Sequence, residues 1–149
     1  MVSRFEHFSA SITCISRYIQ KLERIEMEKY GLKGPHAQCL LAMARYPEGI
    51  TAARLCEVCD KDKAAISRMV TELEEKGMVL RNLENGNRYR ALLQLTELGE
   101  AAAEHVEQRA RRAVEEAGSG MTEEQRIAMY GALDLIAGNL QQICAKGLE

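Results

Sequence analysis

Phe5, Phe8, Ile12, Ile15, Ile19 and Leu22 are spaced alternately three and four apart, with Ser, Thr, Arg, Gln and Lys between them. That spacing lays a heptad-like seam along one face of a long helix, and so narrow an apolar stripe at a chain end needs a partner helix. The run stops at Gly31-Leu32-Lys33-Gly34. Pro35 then occupies a first helical position, where its missing N–H costs nothing. The helix it opens reaches about Arg45, with Cys39, Leu40, Leu41 and Met43 on its apolar side, and Tyr46-Pro47-Glu48-Gly49 breaks it.

Two shorter helices come next. Thr51 is placed to cap the first, Ala52 to Cys59. Asp62 is placed to cap the second, Lys63 to Lys76, which Gly77 stops. Ile66, Met69, Val70 and Leu73 form the buried face of the second; Lys63, Ala64, Ser67, Arg68 and Thr71 take the opposite one. Two short helices joined by a tight polar turn, the second amphipathic, make a helix-turn-helix. The period then changes from helical to alternating. Val79 to Leu83 and Arg88 to Leu95 flank Glu84-Asn85-Gly86-Asn87, and Asn-Gly between β-rich runs is the strongest short hairpin signal. Arg88 and Arg90 fall at the tip of this wing. An Ala-rich helix runs from Thr96 to about Ala117, and Thr122-Glu123-Glu124-Gln125 has the form of a capping box opening the last helix. Ile127, Tyr130, Leu133, Ile136, Leu140 and Ile143 repeat there at three or four. The expected fold is therefore mainly α with a small β-hairpin wing: one domain over 1–149. A winged helix-turn-helix core spans about 35–95, and helices at about 3–30 and 96–145 serve dimerisation.

Composition agrees with a helical globular chain. Of 149 residues 46% are hydrophobic, so a real core can be buried, and only 5% are aromatic. No apolar run approaches the ~20 residues that cross a bilayer, and the N-terminus lacks the profile of a signal peptide. The expected location is cytoplasmic, with no membrane partner. A net charge of −2 gives no global reason to expect nucleic acid, so any such reading rests on local charge. Glu115, Glu116, Glu123 and Glu124 stand in a span without a basic residue, which accounts for part of the acidic balance.

The local charge is suggestive. A helix fits the major groove of DNA, and short side chains near its N-terminus let the backbone approach base edges. In Lys61-Asp62-Lys63-Ala64-Ala65-Ile66-Ser67-Arg68, Lys61 and Lys63 can reach phosphates. Ala64 and Ala65 leave room, and Ser67 and Arg68 can meet bases or backbone, with Thr71 one turn on. Arg88 is placed for the adjacent minor groove, and Arg90 for a phosphate.

The segments Thr51-Ala52-Ala53-Arg54-Leu55, Asp62-Lys63-Ala64-Ala65-Ile66-Ser67-Arg68-Met69-Val70, Leu73-Glu74-Glu75-Lys76-Gly77 and Leu95-Thr96-Glu97-Leu98-Gly99, in this order, resemble the multiple-antibiotic-resistance regulator (MarR) family over nearly the whole chain. The resemblance implies a homodimer whose terminal helices interlock and whose winged helices read a pseudo-palindromic operator on double-stranded DNA. On that basis Phe5, Phe8, Ile12, Ile15, Ile19, Ile136, Leu140 and Ile143 are assigned to the dimer interface. It also implies a repressor released by a small, often phenolic or otherwise aromatic, effector or by an oxidant. Tyr18, His36 and Met43 are the candidate pocket residues. Where the family wing carries Asp then Arg, this chain has Asn87 and Arg88, so the carboxylate that would orient the arginine is missing.

The five cysteines, an odd number without framework spacing, are expected to stay reduced and to pack as small hydrophobes. Cys56-x-x-Cys59 has the form of a zinc half-site, but no second pair or His with ligand spacing lies near. The reading preferred is a pair of buried core thiols, with no metal and no cofactor. Cys14 beside Arg17 and Tyr18 invites an oxidant-sensing reading, yet it falls several residues late, and packing is preferred. A thiol- or metal-responsive sensor and a winged-helix protein-interaction module stay as alternatives. His36 and His105 are isolated, and no nucleophile elbow, P-loop, dinucleotide fingerprint or carboxylate pair argues for an enzyme.

Overall fold

Ser3 opens the first helix, α1 (Arg4–Glu28), in a computed structural model that describes residues 3–83 and 91–148. The Ser3 hydroxyl accepts from the Glu6 N–H while the Glu6 carboxylate accepts from the Ser3 N–H, satisfying two end-of-helix donors at once. Of this long helix only the last turn, Glu26 and Met27, is buried. Then follow α2 (His36–Ala44), α3 (Ala52–Cys59), α4 (Lys63–Glu75), β1 (Val79–Asn82), β2 (Leu92–Leu95), α5 (Glu97–Ala117) and α6 (Glu123–Lys146). Pro35 has helical dihedrals just ahead of α2, as its fixed φ favours.

The chain divides into two compact units, Met1–Arg109 and Ala110–Glu149. The first holds the core. Leu40 and Met43 of α2, Leu55 of α3, Ile66, Val70 and Leu73 of α4, Leu93 of β2 and Ala102, Ala103 and Val106 of α5 are all nearly inaccessible. Their burial is the main stabilising term, at roughly 1.5–3 kcal/mol for each large side chain. β1 and β2 pair antiparallel with Val79 opposite Leu95 and Asn82 opposite Leu92. Ile50 adds a short bridge to Leu93, each N–H donating to the other's carbonyl.

Glycine matters where α4 hands over to the hairpin. Gly77 takes φ of 71°, a left-handed conformation that ends α4, and the Met78 N–H returns to the Leu73 carbonyl. The Thr96 hydroxyl donates to the Gly77 carbonyl at 2.6 Å and accepts from the Gly99 N–H, so one side chain both ties the hairpin to α4 and caps α5. Glu26 anchors the end of α1 to α5. Lys29 lies 2.7 Å away, Arg109 3.1 Å and His105 3.4 Å. Burial pushes the Glu26 carboxyl up, but the bonds from Lys29 and Arg109 outweigh it and hold the group below its ordinary value. The stability this lends is present above the ordinary carboxylate range and is lost as pH falls through the lowered value.

The second unit contains the end of α5, a turn through Gly118 and Gly120, and α6. Thr122 and Gln125 form the expected capping box, and Arg126 donates to the Gly118 carbonyl. α6 buries no residue: Ile127, Leu133, Leu140 and Ile143 are exposed and Ile136 is half-buried. Among the described residues, no helix is long and apolar enough to cross a membrane.

Candidate nucleic-acid interface

The turn between α3 and α4 is built from backbone up. Thr51 caps α3 by accepting from the Arg54 N–H, and α3 ends at Asp60, whose φ of 50° is left-handed and tolerable for an Asp. Two residues later Asp62 Oδ1 accepts from the Ala65 N–H at 2.7 Å and starts α4. α4 buries Ile66, Met69, Val70 and Leu73 and turns Lys63, Ala64, Ser67, Arg68 and Thr71 to solvent, with Lys61 exposed just ahead. Ala65 departs from that face. It is half-buried and packs against the core, so its small size serves helix packing as well.

The charges on α4 are divided in an unusual way. A helix prefers acids near its N-terminus and bases near its C-terminus, because of its dipole. Here the first turn has no acid and the last turn no base. The acidic half is engaged by neighbours: Glu74 meets Arg81 of β1 at 2.7 Å, and Glu72 Oε2 lies 2.7 Å from Nε2 of His36. The basic half is left open. Among the described residues, none of Lys61, Lys63 and Arg68 makes an ion pair. The Asp62 carboxylate already serves the helix N-terminus, so it is the side chains of Lys61, Lys63 and Arg68 that stay open to an anion. Arg88 and Arg90, and Asn87 with them, lie outside the described residues.

Two hollows bear on the candidate pocket residues. One, of about 440 Å³, runs along α1 beside Arg17, Tyr18, Gln20, Lys21 and Arg24, with the Arg17 guanidinium 5.3 Å above the Tyr18 ring. The other, about 210 Å³, lies against Met43, Pro47 and Leu95 with Glu100 and Glu104 at its edge. His36 lines neither, being buried with Nδ1 against the Lys33 backbone. Among the described residues, Tyr18 and Met43 thus line different hollows.

The cysteines depart from uniform packing. Cys39 is fully buried, but Cys56 and Cys59 are only half-buried, and Cys14 and Cys144 are exposed. Cys56 and Cys59 sit at the rim of the core because α3 is only two turns long and buries Leu55 alone. Among the described residues, no three His, Cys, Asp or Glu cluster as metal ligands would.

A helix-turn-helix followed by an antiparallel hairpin, with long helices before and after, defines a winged-helix fold. The model of the MarR family matches residues 30–88, which hold the helix-turn-helix and the first strand of the hairpin. A transcriptional regulatory protein for the hcr operon of Thauera aromatica is 27% identical over 124 residues, covering 83% of this chain and 70% of the relative. A MarR transcriptional regulator from Methanosarcina mazei Go1 has a similar structure (TM-score 0.81, 24% identity, 93% of this chain and 99% of that one). So has a MarR-family regulator from Listeria monocytogenes solved with a 26mer DNA (TM-score 0.80, 22% identity, 94% and 95%).

Proposed function

We propose that this protein is a sequence-specific DNA-binding repressor that acts as a homodimer on a pseudo-palindromic operator and is released by a small aromatic ligand or an oxidant. The observation that carries the reading is the open basic start of α4, where the exposed Lys61, Lys63 and Arg68 make no ion pair among the described residues and so suit an anionic partner. Lys61 and Lys63 contact phosphates; Ser67, Arg68 and Thr71 face the groove beside Ala64. Arg88 and Arg90 extend the contact from the wing. The Listeria relative's DNA complex and the Thauera relative's link to an operon support the same reading. Phe5, Phe8, Ile12, Ile15 and Ile19, all exposed on α1, and Ile136, Leu140 and Ile143 on α6 meet a second copy.

Selection of bound DNA from a random pool, at two salt concentrations and under reducing conditions, tests this. Recovery of an inverted repeat with half-sites about one helical turn apart is expected, with affinity falling steeply as salt rises. Recovery of nothing at low salt would leave a module that binds protein partners instead. Lys63→Glu separates binding from folding. It is expected to raise stability by ~0.5 kcal/mol, because an acid replaces a base in the first turn, while weakening operator binding by on the order of tenfold or more. Unchanged affinity in a titration would remove Lys63 from the contact surface.

A further inference from the structure

Each residue of α4 turns the helix by ~100°, so the buried Ile66, Met69, Val70 and Leu73 fix an outward line on the opposite side. By the same helical count, Ala64, Arg68, Thr71 and Glu75 lie within ~30° of that line, while Ser67 sits ~70° and Lys63 ~110° to one flank. All six are exposed. The outward ridge thus carries one long cation, Arg68, with a short side chain one turn before it and another one turn after. Lys63, on the flank, is placed for a DNA strand and not for the base edges between strands. Arg68 is also kept free. Its helical neighbours at three and four residues are Ala64, Ala65, Thr71 and Glu72. Glu72 is the one acid among them, and its Oε2 lies 2.7 Å from Nε2 of the buried His36 instead. Among the described residues Arg68 makes no ion pair.

We propose that Arg68 sets the operator sequence by reading one guanine of each half-site from the major groove, an assignment that rests on the DNA-binding reading and narrows it from a groove to a base. A guanidinium carries five donors in a planar fork and no acceptor. Guanine answers that fork with two acceptors side by side in the major groove, N7 and O6. Adenine pairs an acceptor with a donor, thymine sets one acceptor beside a methyl, and cytosine offers a donor. Ala64 is too short to hold the helix away from the base edges, and Thr71 leaves room on the other side, so the fork reaches the groove floor between them. Lys61 and Lys63 bear compact charges that suit phosphates, whose contacts position the protein but carry no sequence information. Glu75 stands on the same ridge two turns past Arg68. Its charge is repelled by phosphate, so α4 enters the groove by its N-terminal half.

The test remakes the selected operator with 7-deazaguanine at each guanine in turn, in both half-sites, which removes the N7 acceptor and keeps the base pair. The wild-type chain is expected to lose roughly fivefold or more in affinity at one guanine position, and little at the others. R68A is expected to bind the ordinary operator more weakly by a similar factor and to show no further loss at that guanine, because its reader is gone. Put through the same selection, R68A returns half-sites with no fixed base there. K63A is the contrast: it weakens binding to both DNAs alike and makes the dependence on salt shallower. Arg68 is exposed and unpaired, so R68A should melt at the wild-type temperature. A full further loss for R68A at that guanine, or a wild-type chain indifferent to 7-deazaguanine at every position, overturns the assignment and leaves DNA binding standing. Recovery of no operator overturns the DNA-binding reading, and the role of Arg68 falls with it.

Discussion

Ile15→Glu is expected to sediment as a monomer under conditions where the wild-type chain is a dimer, and to lose operator affinity by on the order of a hundredfold. Ile15 is 57% exposed and Ile19 49%, on a helix whose other seam residues, Phe5, Phe8 and Ile12, are exposed as well. On the dimeric reading proposed above, this continuous apolar face is the surface that closes against the second copy. A carboxylate placed in the closed seam would be buried without a partner, at a cost of several kcal/mol. The substitution should spare the fold of the monomer, because α1 docks through Met27 and the Glu26 cluster far from Ile15. The loss of DNA binding follows from halving the reader: one winged helix spans one half-site, and the gain from tethering two is typically ~10²–10⁴. Intact dimers in a sedimentation run would show that α1 is not the interface.

The second large effect is expected at Gly99. A Cβ there would fall on the carbonyl oxygen of Met78, with the Leu95 side chain close behind. Met78 is fixed on one side by the Gly77 turn and on the other by its carbonyl accepting from the Thr96 N–H, so backbone rather than a flexible side chain must yield. Ala is the better helix former by about 1 kcal/mol, but the collision wins. Gly99→Ala should destabilise the protein by ~3 kcal/mol or more, a large share of the 5–15 kcal/mol of an ordinary domain. Urea denaturation at fixed protein concentration checks it. A midpoint equal to the wild type's would mean that α5 can slide away from the hairpin at little cost.

These positions differ in how far they could be read from the chain itself. The elements follow from local rules: Thr51, Asp62 and Thr122 cap the helices they precede, and Gly77 and Asp60 end those before them. The exposed face of α4 follows from the period of Ile66, Met69, Val70 and Leu73. Gly99 reads only as part of a family motif, because its reason is a close approach between residues 21 apart. His36 looks isolated in sequence, yet it is buried against Glu72; nothing local distinguishes it from a surface histidine. Cys39 and Cys59 each lie on a periodic apolar face, and periodicity tells which face is inward but not how deep it sits. The same blindness suggested that Cys56 and Cys59 would be fully buried, whereas a two-turn helix has room to bury little beyond Leu55.

α1 buries only its last turn and α6 buries nothing, which has a bearing on the protein's life in a cell. On the dimeric reading, such a chain has no fixed stability of its own; its folded fraction rises with the number of copies present. Freshly made chains, still scarce, carry unfinished helices that proteases can cut, and they are cleared fastest. Once synthesis outruns that clearance, pairing protects each copy and the population persists. The supply of regulator would then switch on at a threshold of expression rather than track it in proportion, a sharpening that comes from assembly alone and needs no additional gene circuit.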